Sequence, residues 1–486
     1  MKPSESDNQG GARSLAGLGM AVVVCLWAFG VAGQEDDGEA TEPDAPESSV
    51  ALDEEETPYR LTLPDWVSGT LDIGLDAAMD SPRRDGNGSN DIKFDQLLRL
   101  RIEPPKHEKM RVRTSLWMIE DLDGTEPTTS SFRSINDASR AAVEARLLSL
   151  YLEVDDVWGD STLRLGRQRI LEGVVYNRMD GAYFKQLRGN WDWYAFGGAR
   201  ASLYEDAHED TSAGAGASVR LPTRTRVSLD YFYGEDDRRG PSDVDADLIS
   251  LTLRQQLGPY HSLFGRSTWH DGKLDEVQLS ATGIFIAPEI VYSVAYRKRE
   301  SVLIDRPVDI NEFVHVLGEL NEFDDLLATL DVPVTEKMTV TLEGQLHDAD
   351  EATLNTGNRD YNRFAAILSG DEVAKGVDFS VVLEHWDADS AENAIIITGE
   401  VSKQWEKVKL TGGADYERFQ DRITTYDALT QSVENVTTHE NIHSVFGRMN
   451  YTINEDRSVW FKVIYEKDDT SNSPYWRFRG VYSIRF

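Results

Sequence analysis

From residue 68 to the end of the chain, apolar side chains recur with a period of two. "GTLDIGLD" sets Leu71, Ile73 and Leu75 against Asp72 and Asp76. "LLRLRIE" sets Leu98, Leu100 and Ile102 against Arg99 and Arg101. "EVQLSATGIF" (from Glu276) and "VKLTGGADY" (from Val408) repeat the pattern with Val277, Leu279 and Ala281, and with Val408 and Leu410. Successive strand residues point to opposite faces, so each stretch has one apolar face and one polar face. Segments of about ten residues with this dyad repeat are the signature of strands that cross a membrane.

The connections sort by length. Short turns such as "PPKHE", "DVWGDS", "PTRT", "TEK" and "NEDR" alternate with long Asp-, Gly- and Ser-rich stretches such as "LDGTEPTTSSFRSINDASR" and the 420–440 segment. A soluble sandwich has no reason to segregate loop length by side. Brief periplasmic turns and long outer loops do so in a barrel. The expected fold is therefore all-β: a single transmembrane antiparallel up-and-down β-barrel over residues 59–486. The pattern predicts about 22 strands, an even number between 18 and 22. Trp66, Trp158 and Trp405 all fall at the short turns, where an interfacial aromatic girdle belongs.

The chain ends "YWRFRGVYSIRF". Trp476, Phe478, Tyr482, Ile484 and Phe486 share one parity, and Arg477, Arg479 and Arg485 share the other. A fraying terminus rarely carries five large apolar groups. A strand that closes the barrel against the first one accounts for them, with the aromatic face to lipid. A terminal Phe after alternating aromatics resembles the sorting signature of bacterial outer-membrane proteins, and implies the barrel-assembly machinery as a partner.

The other end reads as targeting. The apolar run "SLAGLGMAVVVCLWAFGVAG" follows Lys2 and Arg13, which is the grammar of a signal peptide (1–33) cleaved near Ala32 or Gly33. It also contains Cys25, the single cysteine, so disulfides and iron–sulfur clusters are excluded from the remainder. Residues 34–58 carry eleven acids and no Lys or Arg, as a disordered periplasmic linker would. Removing the 13 acids and two bases of residues 1–58 from totals of 85 and 50 leaves 72 and 48, a net charge of −24. That balance opposes nucleic-acid binding.

Two motifs invite a metal. "HENIH" (439–443) spells a zinc-protease signature, but it opens the alternating stretch "NIHSVFGRMNYTI". Four residues along a strand span roughly 13 Å, too far for two histidines to share one zinc. "DLDG" (121–124) lacks the rest of a calcium loop. No metal, cofactor or nucleophile constellation emerges, so no enzyme activity is expected.

If the apolar parity faces lipid, the opposite parity lines the lumen. It collects Arg99, Arg101, Arg111, Arg113, Arg164, Arg477, Arg479 and Arg485, with Gln168 beside them. Closure makes these strands neighbours, and Arg101, Arg111, Arg164 and Arg485 fall in the periplasmic half. A guanidinium row would attract anions, because its planar forks suit carboxylates. Alternatively Asp72, Asp76 and Glu153 pair with it and brace the wall.

"STLRLGRQRILEGVVYNRMDGAYFKQ" (161–186) resembles the alginate-export family of outer-membrane barrels through Gly166, Arg167, Gln168, Asp180 and Gly181. The resemblance implies a monomeric barrel with an arginine-lined lumen passing an anionic polymer or small solutes. Arg167 and Arg169 share parity with lipid-facing Leu163 and Leu165, so either a bulge at Gly166 turns them inward or they lie above the membrane band. One stretch breaks the period: "VDINEFVHVLGEL" (308–320) has helical spacing, a candidate lid at the pore mouth or a helix on the outer rim. The expected function is an outer-membrane porin for small hydrophilic solutes, with lipid and lipopolysaccharide around it. A structural or adhesive barrel with a closed lumen and partner-binding loops is the alternative.

Overall fold

The computed structural model describes residues 63–80, 90–122, 143–173, 175–201, 210–236, 244–300, 322–349, 360–388, 393–427, 432–469 and 474–486. The stretches expected to be a signal peptide (1–33), a linker (34–58) and a helix (308–320), and most of the long-loop residues, lie outside these segments. The described residues form one sheet of 22 antiparallel strands, numbered here in chain order. Each strand pairs with the next, and β1 (Val67–Asp80) pairs with β22 (Pro474–Arg485), so the sheet is a closed barrel. Closure leaves no strand edge, which is how a sheet satisfies its backbone groups in lipid.

The seam follows the alternation. Leu71 opposes Ile484, Ile73 opposes Tyr482, Ala77 opposes Phe478 and Met79 opposes Trp476, all on the outer face. Trp476 stacks on Phe478, with ring centroids 5.9 Å apart. Phe486 finishes the seam by exchanging backbone hydrogen bonds with Gly69, at 2.8 and 3.1 Å. Its ring lies where any side chain at Gly69 would stand. Elsewhere Leu229, Leu253, Leu279, Leu383 and Val445 are exposed on the same outer face, as lipid-facing groups are. Trp66, Trp158 and Trp405 are exposed at the short-turn end.

Directly opposed residues share a face. Register therefore carries the inner face from strand to strand. Two connections at the long-loop end depart from the expected rule. β11 (His261–His270) joins β12 (Lys273–Phe285) through Asp271–Gly272, both with positive φ, the two-residue turn that Asp-Gly favours. β5 (Ser161–Glu172) joins β6 (Val175–Arg188) just as tightly. The 420–440 segment is not a long loop: β19 (Val408–Asp427) and β20 (Ser432–Asn454) pair continuously up to Asp427 and Ser432. Thr424, Thr425, Val433, Val436, Thr437 and Thr438 supply the β-branched composition that favours strand over loop. "HENIH" falls inside β20, with His439 opposite Gln420 and His443 opposite Tyr416.

Candidate functional site

β2 (Asn90–Ile102), β3 (Met110–Asp121) and β4 (Val143–Asp155) continue the sheet from β1 towards β5. On their inner face, register places Arg101 opposite Ser68 and Arg113, Arg99 opposite Thr70, and Arg485 opposite Thr70 from the other side. Arg111 opposes Glu153, which opposes Arg164. Arg477 and Arg479 face inward beside Ala78 and Asp76. All eight arginines expected on one wall are thus brought to it.

Carboxylates meet most of them. Arg99 donates to Asp72 at 2.8 Å, Arg101 to Glu103 at 2.8 Å, and Arg477 makes a two-pronged pair with Asp76 at 3.0 and 2.6 Å. Glu153, its side chain 4% exposed, receives Arg164 at 2.6 Å, Arg111 at 3.1 Å and Arg113 at 3.4 Å. Arg111 also pairs with Asp155. Arg479 lies over the Trp460 ring at 5.8 Å. Near the short-turn end, Arg99, Arg101, Arg111, Arg113, Arg164 and Arg485 share one stretch of wall with Asp72, Glu103, Glu153 and Asp155. Arg99, Arg101, Arg113, Arg485, Tyr151 and Asp456 line a recess of ≈ 590 Å³ there.

The second feature was not legible in the alternation. β4 pairs with β5 from Asp155↔Thr162 to Leu150↔Arg167, and above Arg167 the two strands part. β6 stays paired with β7 (Trp191–Arg200) to the end of that strand, where the Ala201 amide donates to the Arg178 carbonyl at 2.9 Å. The freed tip of the β5–β6 hairpin folds into the lumen. It lies against the inner faces of β6, β7, β8 (Thr211–Arg220), β9 (Thr225–Asp236) and β10 (Val244–Leu257). Ile170, Val175 and Met179, at 1, 4 and 0% exposure, pack with Tyr183, Tyr194, Phe196, Phe232 and Leu248. Asn177 donates to Ser212 at 2.6 Å. The Glu172 carboxylate receives Lys185 at 2.8 Å and the Tyr183 hydroxyl, both far down β6 in the strand register. At the turn, Gly173 lies so close to Asp230 that an added Cβ would stand 2.5 Å from its carboxyl carbon.

Glycine makes the departure feasible. Gly166, Gly181 and Gly198 oppose one another across β5, β6 and β7. Gly166 has φ +122°, and a Cβ on Gly181 would stand 2.2 Å from the Gly197 carbonyl oxygen. Such a row permits a sharp bend and close strand approach where a side chain would collide. Pairing through Gly166 runs without a register shift, so the expected bulge is not what reorients the arginines. The whole hairpin turns instead. Arg167 makes a two-pronged pair with Asp180 at 2.8 and 2.7 Å and reaches the Leu147 carbonyl at 3.4 Å, at the base of the fold. Gln168 does not line the open lumen. It is 1% exposed beneath the hairpin and donates to the Gly181 carbonyl at 3.2 Å.

Fully burying three such side chains contributes on the order of 5–8 kcal/mol, about ten times thermal energy, before the polar contacts are counted. The tip is a held element rather than a swinging one. A 22-strand wall tilted at about 40° has a backbone diameter of roughly 40 Å, so a two-stranded tip on one side narrows the bore without filling it. The rest of the inner surface is polar as well. Arg226 of β9 pairs with Asp192 of β7, and Arg297 of β13 (Ile290–Arg299) with Glu276 of β12. Arg363 of β16 (Tyr361–Ala374) meets both Glu343 of β15 (Met338–Ala349) and Glu384 of β17 (Val377–Ala388). Arg254 and Arg266 flank the Phe264 ring at 5.4 and 5.2 Å.

No family model matches the chain, and no curated protein is similar to it. Among solved structures it is similar to the translocation pore of the P pilus usher PapC, with a TM-score of 0.50 at 8% identity, covering 86% of this chain and 99% of that one. A mutant of the ferric enterobactin receptor PfeA from Pseudomonas aeruginosa gives a TM-score of 0.50 at 10% identity, covering 86% and 80%. A BenF-like porin from Pseudomonas fluorescens Pf-5 gives 0.40 at 9%, covering 87% and 99%. At these identities the likeness is one of fold.

Proposed function

We propose that this chain is a channel of a Gram-negative outer membrane, passing small hydrophilic solutes by diffusion and favouring anions. One observation carries the reading: a closed wall, apolar outside, encloses an interior that is lined, apart from the apolar patch under the β5–β6 tip, largely by charged and hydroxyl side chains. A folded interior that held no water would leave those groups desolvated at a cost of several kcal/mol each. The anion preference rests on the row of guanidinia at the short-turn mouth, whose planar forks suit carboxylates and whose field a narrow polar channel would focus. Anionic sugars or polysaccharide are the solutes suggested by the local likeness of Gly166–Gly181 to the alginate-export family, and the recess beside Arg101 and Arg113 has room for a sugar acid.

Refolded protein in a planar bilayer under a salt gradient tests this. Stable conductance steps are expected, with a reversal potential on the anion side. An Arg101→Ala/Arg113→Ala/Arg485→Ala variant is expected to move that potential towards the unselective value. Absence of any conductance would overturn the reading. A second reading, a barrel that holds partners, is favoured by the β19–β20 ribbon. Among the described residues, Asp421–Asp427 and Ser432–Glu440 pair with each other and with no third strand. The ribbon projects roughly 24 Å beyond its neighbours.

A further inference from the structure

Towards the long loops, the inner wall of β15–β19 changes character. Val381 and Leu383 are exposed on the outer face of β17, so Glu384 and Trp386 face inward. Register carries one line from Glu343 through Ala365, Glu384 and Ile396 of β18 (Ala394–Gln404) to Glu417 of β19. The next line towards the outer rim runs Gln345, Arg363, Trp386, Ala394 and Phe419. Carboxylates on alternate strands thus lie under a band of rings. Tyr361, Trp386 and Phe419 are each half-buried, and Tyr361 lies 4.9 Å from Trp386 by ring centroids. These strands stand across the barrel from β6–β10, so the docked tip leaves them facing the bore.

The rings are held from beneath. The Trp386 indole N–H donates to Glu384, and Gln345 donates to the Tyr361 hydroxyl at 3.0 Å. One ring already carries a cation: the Arg363 guanidinium, paired with Glu343 and Glu384, lies 5.6 Å from the Trp386 ring centre. Glu417 has no such partner. Among the described residues it makes no ion pair, and the charged groups that act on it are Asp415, Glu466 and Glu384, all carboxylates.

We propose that Trp386, Phe419 and Glu417 form a binding site for organic ammonium cations on the outer half of the bore. Access from outside rests on the open bore of the channel reading above. Trp386 and Phe419 stand on either side of Ala394, so their Cα atoms are roughly 10 Å apart, two strand spacings. A cation seated between such walls can lie within the roughly 6 Å of a ring centre over which cation–π attraction acts. Glu417, one line further in, supplies the countercharge. A methylated ammonium group is weakly hydrated and gains from ring faces and carboxylate together, whereas a hydrated alkali ion gains from the carboxylate alone. The guanidinium row lies at the short-turn end, so the two surfaces do not compete.

Tetramethylammonium chloride, titrated calorimetrically into the refolded protein in detergent, is the probe. Saturable binding is expected, with potassium chloride giving only heat of dilution. Glu417→Gln and Trp386→Leu are each expected to weaken binding about fivefold, and Trp386→Phe, which keeps a ring, to weaken it less than twofold. Heat-modifiable gel mobility of each variant separates loss of the site from loss of the fold, and Glu417 braces no ion pair whose removal would loosen the wall. No saturable heat in the unaltered protein, or unchanged binding in a folded Glu417→Gln or Trp386→Leu variant, would overturn the site and leave the channel reading standing. Binding by a protein that shows no conductance in bilayers would do the reverse.

Discussion

Glu153 shows what single residues do in this lumen. Three guanidinia converge on a carboxylate that is almost inaccessible, so the group is a brace between β3, β4 and β5. Replacing it leaves three cations facing one another around a neutral amide. Truncating one partner of a buried charge cluster costs about 3 kcal/mol or more. Glu153→Gln is therefore expected to lower the temperature at which the folded barrel loses its compact gel mobility, with a smaller loss at high salt. Unchanged heat resistance would show that solvent in the bore screens the cluster. Side-chain parity was readable at this scale: register sets the eight arginines on one face of the sheet, opposite the exposed leucines. Which carboxylate each would meet was not, because Glu153 meets Arg111 and Arg113 from the strand before it and Arg164 from the strand after it.

At the scale of elements, the β5–β6 hairpin is where pattern and structure part. Its tip alternates with the same period as the wall strands, so apolar spacing alone assigns it to the wall. What moves it inward is the glycine row at 166, 181 and 198, together with an inner-facing apolar patch on β6–β10 that receives Ile170, Val175 and Met179. Met179→Ala is expected to open a cavity at a fully buried position and to cost about 2–5 kcal/mol of docking energy. Amide hydrogen exchange over residues 168–179 should then quicken while the wall strands keep their protection. Uniform quickening across the barrel would mean that tip and wall unfold as one unit. The β19–β20 ribbon makes the complementary point. Polar composition read as loop, whereas β-branched residues and a partner strand extended the ladder.

For the whole molecule, closure is the governing interaction. The β1–β22 seam joins residues some 400 positions apart in sequence, as Arg477 and Asp76 illustrate. A chain lacking residues 474–486 presents β1 and β21 (Arg457–Asp468) as open edges, and unpaired backbone groups in lipid cost several kcal/mol each. That truncation is expected to abolish both heat-modifiable mobility and bilayer insertion. A compact truncated species would show that another strand pair can close the wall.

By itself the sequence determined the wall: strands, faces, the strand count to within its range, the closing role of the C-terminal stretch and the inward parity of the arginines. Period-two alternation is a local property, and the membrane admits only a closed sheet for it. Tertiary structure decided what stands inside the wall. Whether Gln168 lines the bore or is covered depends on where a hairpin bends and on what surface receives it. Those contacts join residues brought together by barrel curvature rather than by spacing, and no periodicity records them.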